Sequence, residues 1–210
     1  VLKPNPYTGN IVLIGPPGSG KGTVAEQLSK ETQLPVLTVS RVLKDAAKVD
    51  PILDTRIQAF MEQGELVPDA LIEQVISKVI TQPKYKNGII FDGFPRTLTQ
   101  AQFLTNNNVP IDLVVVLDVP DDVIIKRLSG RRVHPPSGRL YHLISKPPMQ
   151  DGVDDVTGEP LIQRADDRPE VIQKRLNDYD TLTKPIIDWA QDEVSKQGIV
   201  KNIRFIDAQQ

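Results

Sequence analysis

Gly15-Pro16-Pro17-Gly18-Ser19-Gly20-Lys21-Gly22-Thr23 is the stretch on which the fold turns. It satisfies G-x-x-x-x-G-K, the pattern of a loop that cradles phosphate, with one departure. The residue after the lysine is glycine, and the hydroxyl comes one place later, at Thr23. In the general pattern the hydroxyl directly after the lysine holds Mg²⁺; with Gly22 in that place, a metal would have to be held from elsewhere. The flanks agree with the loop. Ile11-Val12-Leu13-Ile14 is a short apolar run rich in β-branched residues and reads as a buried strand. From Lys21 onward the pattern is helical, with Val24, Ala25 and Leu28 on one face. Glycines let successive backbone N–H groups turn inward around an anion. An anion seated there would lie at a helix N-terminus, where free N–H groups and the dipole favour negative charge. Lys21 adds a mobile positive charge.

Composition narrows the partners. Hydrophobic residues make up 39% and charged residues 25% of the 210-residue chain, ordinary values for a soluble globular domain with a sizeable core. The net charge is −2, so no overall basic field recruits nucleic acid or an anionic membrane. A polyanion must instead meet a local cluster, and seven of the eleven arginines fall between Arg127 and Arg175. The absence of cysteine excludes disulfides and thiolate metal sites and fits a reducing compartment. No apolar run is long enough to span a bilayer, and Val1–Asn10 is too short and polar for a signal peptide. A cytoplasmic location is expected, or an organelle matrix after processing, since the chain starts at Val1 rather than Met. A monomer is expected.

Strands and helices alternate, which predicts an α/β domain with a parallel sheet covered on both faces. The strand candidates are Ile11–Ile14, Val36–Thr38, Ile89–Phe91, Leu113–Val119 and Ile203–Ile206. The helix candidates are Gly22–Glu31, Asp54–Gln63, Asp69–Thr81, Leu98–Asn106, Asp121–Leu128, Pro169–Leu182 and Pro185–Lys196. Two stretches break the rhythm: residues 39–67, with short helices, and residues 130–167, rich in proline, glycine and polar clusters. Loops of that length are usually functional, and ligands of open α/β sheets bind at the carboxyl edge where these stretches begin. Both read as movable covers over the phosphate site.

The third strand runs into Asp92-Gly93-Phe94-Pro95-Arg96. Together with Gly15–Thr23 this makes the chain resemble the adenylate kinase family of nucleoside monophosphate kinases. Further matching pieces are Gly64-Glu65-Leu66-Val67-Pro68, Gly130-Arg131-Arg132-Val133-His134, Ser137-Gly138-Arg139-Leu140-Tyr141, Asp154–Glu159 and Arg164-Ala165-Asp166-Asp167. Their order and spacing cover nearly the whole chain. The resemblance implies a P-loop nucleoside triphosphate hydrolase-like fold with a central five-stranded parallel sheet. It implies one kinase domain over 1–210, with a core of 1–38, 68–129 and 168–210, a monophosphate-binding subdomain at 39–67 and a lid at 130–167. It also implies reversible phosphoryl transfer from Mg-ATP to AMP, giving two ADP, with Mg²⁺ as the cofactor and no zinc.

Such a reaction is catalysed by positioning and by neutralising charge on the moving group, and arginine suits it because its planar fork grips phosphate at two points. By resemblance, Lys21, Arg96, Arg131, Arg164 and Arg175 are catalytic. Gly18, Ser19, Gly20, Lys21, Gly22, Thr23, Arg127, Arg131, Leu140 and Tyr141 would bind ATP, with Arg127 against its base. Thr38, Val39, Lys44, Glu65, Leu66, Val67, Gly93, Phe94, Pro95, Arg96, Gln100, Arg164 and Arg175 would bind AMP, with Gln100 reading the base. Asp92 would hold Mg²⁺ through water, which fits the missing hydroxyl after Lys21.

His134 and Ser137 are spaced like a zinc-ribbon pair, and so are Asp154 and Thr157. Hydroxyls are poor Zn²⁺ ligands and no thiolate is present. The resemblance implies a hydrogen-bonded polar quartet in the lid where other family members carry a cysteine-bound zinc. The acceptor side departs from the family. After the second strand, members usually carry a Thr-Gly-Asp-type turn followed by an arginine; here Val39, Ser40, Arg41 and Lys44 take those places. Lys44 keeps the charge but not the two-point grip. Three readings stand: an adenylate kinase, a relative with another base or a GTP donor, and a nucleotide-binding module with an impaired acceptor site. The family also usually adds a helix beyond the last strand, where this chain reaches Gln210.

Overall fold

The computed structural model describes residues 7–62 and 67–209. Its centre is a five-stranded sheet made of β1 (Ile11–Ile14), β2 (Val36–Thr38), β3 (Ile90–Asp92), β4 (Leu113–Asp118) and β7 (Ile203–Asp207), in the spatial order β2-β3-β1-β4-β7. Every neighbouring pair is parallel, as the expected fold class requires. β1 is central and fully buried because both its faces are covered. Val12 and Ile14 join one apolar cluster with Leu37, Phe91, Val114 and Val116, while Ile11 and Leu13 join a second with Ala25, Ile90, Val115 and Leu117. The alternation explains why β1 and β4 read as unbroken apolar runs.

Helix α1 (Lys21–Thr32) follows the phosphate loop, and α2 (Val39–Val49) follows β2 without a connecting turn. The segment read as an acceptor turn is therefore the first turn of a helix. Val39, Val42 and Leu43, spaced three and four apart, bury one face of it. Next come α3 (Pro51–Glu62), α4 (Asp69–Val79), α5 (Leu98–Asn106) and α6 (Asp121–Ser129). After α6 an antiparallel pair, β5 (Arg131–His134) with β6 (Arg139–His142), forms the frame of residues 130–167. No strand was expected there.

The expected helix Pro169–Leu182 is shorter. α7 (Pro169–Asp178) passes into a π-turn over Tyr179–Thr183, and α8 (Pro185–Ser195) begins at once. In a continuous α-helix the Pro185 ring would clash with the Thr181 carbonyl four residues back; the chain widens there, and the Lys184 N–H reaches the Tyr179 carbonyl at 2.8 Å.

Candidate active site

The phosphate loop is held open by backbone conformation. Gly18 and Gly20 lie at φ 76° and 92°, in the left-handed region that favours glycine. A Cβ on Gly18 would strike the Leu128 side chain at 2.8 Å. Gly20 caps α1 without any side-chain hydrogen bond, so the first N–H groups of the helix are not closed off by protein. Gly20, Gly22 and Thr23 are exposed, whereas Ser19 is buried and its hydroxyl has no partner. An uncapped helix of twelve residues, an orphaned hydroxyl and a nearby lysine are a donor set suited to phosphate oxygens.

Lys21 folds back over this loop, with Nζ donating to the Gly15 carbonyl at 2.9 Å. Its enclosure brings the ammonium pKa down to about 8; Arg96 and Arg175 push the same way, and Asp92 partly opposes them. Residues 71 and more positions away from Lys21 in the chain thus share one electrostatic neighbourhood with it. Asp92 reaches it because it ends β3, level with Leu13 of β1 and Thr38 of β2.

The arginines continue outward from there. Burial lowers the Arg175 pKa; Asp166 and Asp167 oppose that, and Arg131 and Arg164 add to it. Arg175 also donates to the Asp166 carbonyl at 3.4 Å. Arg131 is clamped by Asp167, with Nε to Oδ2 at 2.8 Å and Nη2 to Oδ1 at 2.7 Å, and Asp167 is fully buried. Arg164 lies 3.8 Å from the Asp166 carboxylate. Arg127 is fixed by two carbonyls, Ala208 at 2.6 Å and Gly18 at 3.4 Å, which hold its guanidinium against the phosphate loop.

Beyond β3, the Arg96 guanidinium lies over Gly93, where a Cβ would come within 3.1 Å of it. Gly93 has φ 85°. Phe94 is fully buried against Phe91 and Phe103, and Pro95 is buried too, so these two residues can offer a ligand mainly backbone. Gln100 is also buried, and both ends of its amide are engaged: Oε1 accepts from the Arg96 N–H at 2.7 Å and Nε2 donates to Asp69 Oδ1 at 2.9 Å. Val39 is buried in the core, Thr38 and Val67 are half-buried and Lys44 is exposed. Glu65 and Leu66 lie outside the described residues. Arg41 lines a groove of about 540 Å³ bounded by α2, α3, α4 and β2, away from the phosphate loop.

His134, Ser137, Asp154 and Thr157 meet around a buried carboxylate. Asp154 accepts from Thr157 Oγ1 at 2.9 Å, from Arg139 at 2.8 and 2.7 Å and from Tyr141 Oη at 2.7 Å. Those bonds, Arg139 foremost, hold its pKa far below the usual carboxylate range. His134 bridges Ser137 through Nδ1 and Glu159 through Nε2, both at 2.6 Å. Tyr141 is therefore packed within residues 130–167, while Leu140 is exposed. Among the described residues no group of three or more His, Cys, Asp or Glu could hold a metal ion, and no helix is long and apolar enough to cross a membrane.

Asp69 and Thr97 escaped the sequence reading, and Arg139, Glu159 and Asp167, though they stand in the quoted pieces, were given no role in it. One had a signal. Thr97-x-x-Gln100 has the form of a helix capping box, and Thr97 Oγ1 does accept from the Gln100 N–H at 3.2 Å. The carboxylate partners are set by contacts across the fold that no local pattern announces.

A family model described as adenylate kinase matches residues 13–195. The match runs from within β1 to the end of α8 and takes in the phosphate loop from Gly15 onward, Asp92 and the arginines at 96, 127, 131, 164 and 175. On that footing the chain belongs to the adenylate kinase family, whose members are nucleoside monophosphate kinases.

Proposed function

We propose that this protein transfers the terminal phosphoryl group of ATP to AMP, giving two ADP. The observation that carries the reading is the neighbourhood of Lys21, the first residue of a helix without a side-chain cap, whose ammonium feels the charges of Arg96, Arg175 and Asp92. In this reading a phosphate oxygen of AMP attacks the terminal phosphorus of ATP, and the bond from that phosphorus to the bridging oxygen breaks. No proton needs to be moved for the charges to balance, so the protein's task is electrostatic. Lys21 and the α1 N-terminus grip the donor phosphates. Arg96 holds the acceptor phosphate, and Arg131, Arg164 and Arg175 meet the charge on the group in flight. Bound with ATP, Mg²⁺ would neutralise charge between the outer phosphates. Asp92, at the strand edge beside Lys21, is the residue suited to hold it through water. Arg127 lies where it can face the donor base, anchored to Gly18 and Ala208. Closing residues 39–67 and the lid would exclude water from the transferring group.

One observation keeps a second reading in play. Lys44 stands exposed where a forked guanidinium is expected, so the acceptor grip is weaker than the donor grip. A different monophosphate, or slow turnover with AMP, would follow from that. A coupled assay of diphosphate formation with AMP, UMP, CMP and GMP against ATP and GTP decides between them. AMP with ATP should be the fastest pair. Nucleotide binding without turnover in any pair would sink the kinase reading.

A further inference from the structure

We propose that Asp69 is a positioning residue that fixes which way round the Gln100 amide faces the acceptor base, and thereby helps select the monophosphate. This rests on the reading of Gln100 as the residue that contacts the base. The argument starts from the two bonds that hold the amide. Its oxygen accepts from the Arg96 backbone N–H at 2.7 Å, and its nitrogen donates to Asp69 Oδ1 at 2.9 Å. A backbone N–H can only donate and a carboxylate accepts, so the amide has one allowed orientation. Turned by half a revolution, it would set NH₂ against N–H and oxygen against carboxylate, exchanging two bonds for two repulsions.

Asp69 is itself held in place. It occupies the first turn of α4, where the helix dipole favours a carboxylate. Its second oxygen accepts from Thr97 Oγ1 at 3.2 Å, and Thr97 in turn caps α5 by accepting the Gln100 N–H. The carboxylate thus ties α4 to the start of α5, and both of its oxygens serve the turn that carries Gln100. No direct contact of Asp69 with substrate is invoked.

Gln100 is only 3% exposed, so little of the amide remains to meet a ligand. Of its four hydrogen-bonding sites, one N–H and one lone pair are left over. An amide in that state reads an adjacent donor and acceptor on a base edge. Adenine presents an amino donor beside a ring-nitrogen acceptor, whereas uracil presents a ring N–H donor beside a carbonyl acceptor. In one fixed pose these patterns call for opposite amide orientations. A freely turning amide could serve both; a locked one serves one.

The test compares AMP with UMP as acceptors, reading the ratio of their kcat/KM values together with their affinities by calorimetry. Asp69→Asn keeps the size but offers an amide that can donate or accept, so the lock is lost. The AMP:UMP ratio should fall by about tenfold, carried in the acceptor KM, while the ATP KM and kcat stay within about twofold. Asp69→Glu keeps the charge but displaces it. It should move the ratio the same way, and it serves as the test if the asparagine variant does not fold. Gln100→Ala should lower the ratio by itself, and adding Asp69→Asn to it should change nothing more. If Gln100→Ala leaves the ratio untouched, Gln100 does not read the base and both readings fall. If Gln100→Ala lowers the ratio but neither Asp69 variant does, the positioning role is overturned and the base contact stands. An Asp69 effect that persists alongside Gln100→Ala also overturns it, because Asp69 would then act through the α4–α5 contact in general. Absence of turnover with every monophosphate would sink the proposed function, and the comparison would then be read from the two affinities.

Discussion

Binding of Mg-ATP at pH 8 should draw protons from solution, and Lys21 should be their destination. In the ligand-free loop its pKa is about 8, because the ammonium is enclosed and faces Arg96 and Arg175 with only Asp92 to offset them. A group with that value is about half protonated at pH 8 and about nine-tenths protonated at pH 7. Polyphosphate beside the amine reverses the balance and returns the pKa towards or above its ordinary value, so the bound state is fully charged. The uptake should therefore be about 0.5 proton per ATP at pH 8 and about 0.1 at pH 7. With Mg²⁺ in excess the nucleotide is itself fully ionised at pH 8 and contributes little. Calorimetric titration in buffers of differing ionisation enthalpy gives the number directly, as the slope of observed heat against buffer heat. Lys21→Met should abolish the slope at pH 8 while leaving residual binding through the loop backbone. The same linkage fixes a sign for stability. The unfolded lysine still holds its proton between about pH 8 and pH 10.5 while the folded one has lost it, so this residue makes the ligand-free protein more stable as pH rises through that window. Zero uptake at pH 8, or equal uptake in the methionine variant, would refute the account of the loop.

Four further outcomes follow from other parts of the site. Arg131→Ala should lower kcat by about 100-fold or more with a small change in ATP affinity, seen in single-turnover kinetics, because its charge is needed mainly by the transferring group. Lys44→Arg should restore a two-point grip and lower the AMP KM by several-fold without changing the ATP KM, as initial-rate measurements would show. In the lid, Asp154→Asn should speed hydrogen exchange across β5 and β6 while the central sheet keeps its protection, since Asp154 gathers Arg139, Tyr141 and Thr157. Treatment with a chelator, followed by replacement of Mg²⁺, should leave melting and activity unchanged, because the lid's cohesion rests on those bonds.

What could be read in advance, and what could not, follows from how far each determinant reaches along the chain. β1, the loop and α1 declare themselves within 22 consecutive residues, Ile11–Thr32, because strand burial, glycine conformations and helical spacing are all local. The β5–β6 hairpin does not. Arg131-Arg132-Val133-His134 has no apolar alternation, and it forms a strand because Val133 pairs with Leu140 and Ile162 while His134 finds Ser137 and Glu159. Its core is a polar network, and periodicity of apolar residues carries no information about such a core. The π-turn at Tyr179–Thr183 was signalled by Pro185, but proline announces that an α-helical bond is lost and not which wider bond replaces it. At the active site the same division separates the groups that would touch phosphate from those that aim them. Lys21, Asp92, Arg96 and the later arginines sit in recognisable stretches. The carboxylates that orient the aimed groups, Asp69 for Gln100 and Asp167 for Arg131, are brought in across 31 and 36 residues. An acidic residue in the first turn of a helix, as Asp69 is, has a sufficient local reason to be there, and that reason conceals its second role. If Gln100 reads the acceptor base as proposed, specificity is written partly in residues whose local chemistry already looks complete.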